Sequence, residues 1–134
     1  MGYTHYWESK TPIPPDVWAA ICLDAKTLVK AFPPVIFDLN IDDEVIFFDG
    51  ECEAFLFQRA GGWECCKTRG WQYDQLVCAV LAVAAQRYQG LAVGSDAMLN
   101  GDESLWDAAM AWASEVLGRP LPTPWKSPAE TDAS

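Results

Sequence analysis

The 134-residue chain carries a formal net charge of −10, from 19 Asp and Glu against nine Lys and Arg. That excludes passive attraction to nucleic acid or to an anionic membrane, both of which need positive charge. Apolar residues make up 51% and aromatic residues 13%, which excludes overall disorder and suits one domain with its own core.

Tyr3 to Trp7 is short and aromatic and reads as a first strand. Three prolines between Thr11 and Asp16 forbid regular structure, and Asp16 lies where a helix could begin. From Val17 to Phe32 the residues Trp18, Ile21, Cys22, Ala25, Leu28, Val29 and Phe32 recur at helical spacing. Pro33-Pro34 would end that helix. Val35–Leu39, Val45–Phe48, Glu53–Arg59 and Trp63–Thr68 read as four strands, with a carboxylate-rich turn at Asn40–Glu44, a hairpin signal at Asp49-Gly50 and a turn at Gly61-Gly62. Such short links predict an antiparallel meander.

Leu76 to Ala85 is apolar without a break. A run that long and that rich in alanine predicts a central helix covered on most sides. Asp74 stands where a cap is needed, and Gly90 where a stop is needed. The run is about half the roughly 20 residues that cross a bilayer. Leu91–Val93 follows as a short strand, then a polar loop from Gly94 to Asp102. The last helix would be capped by Asp102 or Ser104 and stopped by Gly118. Its expected inner stripe is Leu105, Ala108, Ala109, Trp112 and Val116, widened by Trp106, Ala113 and Leu117.

The expected architecture is α+β and two-layered: about three helices on one face of a largely antiparallel sheet. Residues 1–118 form the domain, and the Pro-rich residues 119–134 a tail that lies on the body through Leu121 and Trp125. Five cysteines, an odd number, with no signal-like N-terminus fit a reducing cytosol.

The string Tyr3-Thr4-His5-Tyr6-Trp7 is the most distinctive stretch. Together with Cys66-Lys67-Thr68, Tyr73-Asp74, Ser95-Asp96, and Trp106 and Trp112, it resembles a group of small proteins of tailed bacteriophages and prophages. The resemblance reaches to about Gly118. Members often read Lys-Pro before Tyr-Asp and Gly after Ser-Asp; Gln72 and Ala97 stand there in this chain. No activity goes with that group, so the resemblance implies no catalytic residue. It implies a setting, an accessory protein acting in a bacterial host cytosol during infection.

His5 is the only histidine and could form a base–thiol pair with Cys65 or Cys66. Packing in an aromatic strand accounts for it more simply. Cys52, Cys65, Cys66 and His5 lack the paired spacing of a zinc site. Asp96, Asn100, Asp102 and Glu103 lack the alternation of an EF-hand, and capping and turn formation explain them. No cofactor and no metal is expected.

The strongest functional lead is charge. Between Lys30 and Arg59 there is no basic residue, while Asp38, Asp42, Asp43, Glu44, Asp49, Glu51 and Glu53 fall in that interval. A surface built from them could occupy a basic surface of a host protein or nucleoprotein complex, with Trp63 as an anchor and no direct contact to nucleic acid. The competing reading is a solvated edge that discourages strand-to-strand association. The expectation is therefore an acidic, non-enzymatic interaction module, an inhibitor of the anti-CRISPR kind. The alternatives are a small enzyme or small-molecule binder using His5 with Cys65 or Cys66, and an oligomeric phage accessory component.

Overall fold

The computed structural model describes residues 3–33 and 36–126. Pro34, Val35 and the tail beyond Lys126, on which parts of the sequence reading fall, lie outside them. The fold is α+β: two three-stranded antiparallel sheets and four helices. In chain order these are β1 (Thr4–Ser9), α1 (Pro15–Ala31), β2 (Phe37–Ile41), β3 (Val45–Asp49), β4 (Phe55–Gln58), β5 (Gly62–Lys67), α2 (Asp74–Arg87), β6 (Leu91–Ser95), α3 (Asp96–Asn100) and α4 (Ser104–Leu117).

The expected four-strand meander divides. β2, β3 and β4 form one sheet, in that order, while β5 joins β1 and β6 in another with β1 at its centre. The reason is partner length. β1 offers β5 six matched positions, Thr4 opposite Lys67 through to Ser9 opposite Gly62, whereas β4 is only four residues long. Gly61 and Gly62, both at positive φ, turn the chain from one sheet into the other.

α2 is the core helix, as the apolar run predicts. Leu76 to Ala84 is buried throughout, with α1 and α4 packed against it and β6 alongside. Asp74 is not its cap. Tyr73 holds that position, and the Asp74 carboxylate turns into the core. The helix ends at Tyr88 in extended backbone, before Gly90 is reached. α1 begins on Pro15, whose fixed φ suits a first helical turn. It buries Trp18, Ile21, Cys22, Ala25 and Leu28 as the spacing predicts. α4 stops at Gly118 in the left-handed conformation. Its buried stripe is Trp106, Ala109, Met110 and Ala113, rotated from the expected one, and Leu105 and Ala108 face outward. The rotation follows from Trp106, whose ring packs against Trp125 at 4.9 Å and His5 at 5.1 Å.

One partly buried ion cluster ties three elements. Asp24 on α1 accepts from Arg87 at the end of α2 (2.6 Å) and from Arg119 beyond α4 (2.7 Å). Burial pushes the Asp24 carboxyl up, but the hydrogen bonds and charges of Arg119 and Arg87 outweigh it and leave it below the usual carboxylate range. A lowered folded pKa stabilises above the unfolded value of about 4, and the contribution drains as pH falls through the folded value. Both arginines are about one-third exposed, so solvent screening trims the ~3–5 kcal/mol of a fully buried pair. Asp24→Asn should cost about 2 kcal/mol near neutral pH and much less at about pH 3. Urea midpoints of both proteins at the two pH values check this; a penalty independent of pH would contradict it.

Candidate functional site

Two places in the fold concentrate chemistry: a polar cluster in the core and the acidic sheet.

The core cluster grows from strand alternation. His5, Trp7 and Ser9 take the inner face of β1. His5 lies opposite Ser95 on β6, and its ring reaches the head of α2. Ser95 Oγ accepts from the backbone N–H of Ala97 and from Trp106 Nε1, both at 3.1 Å. Both lone pairs are then used, so its own proton goes to His5 Nδ1 at 2.8 Å. The imidazole therefore carries hydrogen on Nε2 and donates to Asp74 Oδ1 at 2.5 Å. Thr68 Oγ1 donates to the same oxygen, and the Cys78 thiol donates to Oδ2 at 3.5 Å. Burial pushes that thiol well up, reinforced by the Asp74 charge, so it serves as a donor.

A Ser–His–Asp chain can activate a serine where Oγ faces a substrate. Here Ser95, His5, Thr68 and Cys78 are completely buried and Asp74 nearly so, and Ser95 Oγ has no free lone pair. His5, Asp74 and Cys78 each place a ligand-type atom within 4.8 Å of the others. A metal there would have to displace the Nε2 proton given to Asp74 and the Cys78 thiol proton. The cluster is closed by its own hydrogen bonds and acts as a clasp joining β1, α2, β6 and α4. Cys66 lies directly opposite His5 in the β1–β5 register, but the thiol within hydrogen-bond distance of the ring is Cys78, 3.5 Å from Nε2. Cys66 turns to the carbonyls of Glu53 and Ala54, and burial raises it to about 12. Cys65 is exposed, on the outer face of β5 opposite Tyr6.

The sequence reading missed this cluster, although a signal was present. A carboxylate at the head of a helix apolar on every side must find donors, and Cys78 stands one turn further along.

All seven carboxylates singled out from the sequence fall on the β2–β3–β4 sheet or its connections, and none is buried. Asp42, Asp43 and Glu44 form the β2–β3 turn. At the opposite end lie Asp49, the last residue of β3, and Glu51 and Glu53 on the β3–β4 connection. Asp38 sits on the edge strand at a bulge, with φ +53°, a conformation aspartate tolerates. Four of them have local duties. Asp42 accepts from the N–H groups of Glu44 and Val45 and from Asn40, which holds it below the usual carboxylate range. Asp49 accepts from Gly50 N–H and Glu53 from Lys67 N–H. Glu44 pairs with Arg59 at 3.6 Å, and Arg59 also donates to the carbonyls of Asp43 and Ile13. Arg59 is therefore a brace for the turn. Trp63 is 61% exposed, but it lies on the other sheet, opposite Glu8.

The same sheet exposes apolar surface. Its inner face, Ile46, Phe48, Phe55 and Phe57, is fully buried. The outer face carries Val45 and Phe47 on β3, Leu56 on β4 and Phe37 on β2, interspersed with Asn40, Asp49 and Gln58, with Phe47 between Asn40 and Leu56, Val45 opposite Gln58 and Phe37 opposite Asp49. A groove of about 310 Å³ opens beside the acidic turn, floored by Trp18, Cys22 and Ile41 and edged by Asp42 and Asp43. A larger one, about 520 Å³, lies between the end of α2 and the segment from Arg119 to Lys126. Its arginine is committed to Asp24, and its lysine bonds to Glu103 and Asp107. Among the described residues, no helix is long and apolar enough to cross a membrane.

Comparison with known proteins gives no match: no family model, no curated protein and no solved structure matches the chain.

Proposed function

We propose that this protein is an acidic interaction module that occupies a basic surface of a host protein or nucleoprotein complex, as a phage-encoded inhibitor of a nucleic-acid-handling defence system would. The observation that carries the reading is a coincidence on one three-stranded sheet. Seven carboxylates stand there with a single ion pair among the described residues, beside exposed Phe37, Leu39 and Leu56. A merely solvated edge needs charge but not exposed aromatic and aliphatic side chains. An interface uses both, the charge for steering and discrimination, the apolar centre for affinity.

The hydrogen bonds decide which variant tests it. Asp42 holds its own turn, so reversing it would confound folding with binding. Asp43 and Glu51 are exposed, and neither side chain has such a duty. Asp43→Lys with Glu51→Lys should leave the thermal melt unchanged and weaken binding by about tenfold per reversed charge. The measurement is capture from a bacterial lysate at low and high salt, followed by competition with duplex DNA. The expected ligand is basic, salt-sensitive and displaced by DNA. Undiminished capture by the folded double variant would remove the charge mechanism.

A further inference from the structure

We infer that the outer face of the β2–β3–β4 sheet receives an amphipathic helix with an apolar middle and basic residues at both ends. This deepens the acidic-module reading and rests on it.

The argument starts from register. Phe47, paired with Leu56, sits at the centre of the outer face, with Val45 toward one end and Phe37 opposite Asp49 at the other. Phe37 is 56% and Leu56 37% exposed. Asn40, opposite Phe47, and Gln58, opposite Val45, share this face, and Val45 and Phe47 are half-buried on it; large apolar side chains on a sheet face are ordinarily covered by a second layer. Beyond the Val45 end stand Asp43 and Glu44; at the other stand Asp49 and Glu51. From Glu44 to Asp49, the nearest carboxylates of the two ends, is about 17 Å at strand rise. An occupant matching this face is apolar over that span and positive at both limits. As a helix, it would place its basic residues about eleven positions apart.

A second copy of this chain would set carboxylates against carboxylates, so the charge excludes self-association through this face. Strand addition at the edge of β2 is also opposed. The bulge at Asp38 interrupts the register between Phe37 and Asn40, and bulged edges pair poorly. The face, rather than the edge, is the docking element.

The test uses the full chain and two synthetic helical peptides of equal composition. One carries arginine pairs about eleven residues apart, flanking a leucine face; the other carries all its arginines at one end. Fluorescence anisotropy at low salt reads affinity, and circular dichroism reads helix gained on binding. The spaced peptide should bind about tenfold more tightly than the clustered one and gain helix on binding. Leu56→Ser and Phe37→Ser should each weaken it about fivefold with the melt unchanged. Should Leu56→Ser disturb folding, Phe37→Ser on the exposed edge strand decides the matter by itself. Equal affinity for the two peptides, binding without helix, or wild-type affinity in the folded face variants would overturn the helix and leave the acidic-module reading standing. If Asp43→Lys with Glu51→Lys also binds the spaced peptide undiminished, both fall together.

Discussion

Replacing Asp74 by alanine should cost about 4 kcal/mol of stability, a large share of what a domain of this size possesses. The substitution takes the accepting oxygens from three donors, His5 Nε2–H, the Thr68 hydroxyl and the Cys78 thiol, and leaves only the long 3.5 Å contact between His5 Nε2 and Cys78 Sγ. All three residues are fully buried, so water cannot replace the lost oxygens without opening the core. The loss is therefore the desolvation cost of several orphaned groups, not the modest net worth of one hydrogen bond. Asp74→Asn keeps the shape and one acceptor and should cost less. Urea unfolding followed by tryptophan fluorescence measures both. The result also separates two views of the cluster. Residues kept for catalysis are commonly neutral or destabilising in the fold, and their removal often raises stability. A folded Asp74→Ala protein within about 1 kcal/mol of wild type would refute the clasp and reopen the site as chemical machinery.

How far such a cluster can be read in advance depends on what local pattern encodes. The α2 run is a statement about burial, and burial on every side can be satisfied only in the middle of a domain. The α1 stripe likewise repeats a rule that each turn of helix obeys independently. Sheet membership obeys no such rule. Whether β5 joins β4 or β1 depends on the length of a strand far back in the chain, and neither segment carries that information. The α4 stripe was displaced for a related reason. Its composition allows two overlapping faces, and a contact made by Trp106 to residues on other elements selects between them. His5 shows the limit most clearly. Its inward direction follows from alternation in β1, but its partners lie 69 and 90 residues away. Cys66 is its partner in the β1–β5 register, yet the thiol its ring touches is Cys78, and Cys65 faces outward. The carboxylates were legible as a charge run. What the run lacked was the fold of the meander, which sends its members to two ends of one sheet and puts Trp63 on the other.

Two glycines with nearly the same steric conflict should respond very differently to alanine, and the contrast tests whether the core is as tightly fixed as its hydrogen bonds imply. A Cβ on Gly50 would lie 2.3 Å from Tyr73 Cδ2, and one on Gly94 would lie 2.2 Å from Tyr6 Cε2. Distance alone ranks them together. Tyr73, however, is 1% exposed, and its hydroxyl donates to the Glu53 carbonyl at 2.6 Å. The ring is held at both ends, by the start of α2 and by the β3–β4 connection, so making room moves backbone. Tyr6 is half-buried on the outer face of the β1 sheet, and its ring can swing into solvent. Gly50→Ala should therefore cost about 3 kcal/mol, the upper end for overpacking, and Gly94→Ala under about 1 kcal/mol. Thermal melts of the two variants decide it. Equal losses would mean that Tyr73 yields as freely as a surface ring, and the end of the sheet bearing Asp49 and Glu51 would then be too loosely held to present charge at a fixed spacing.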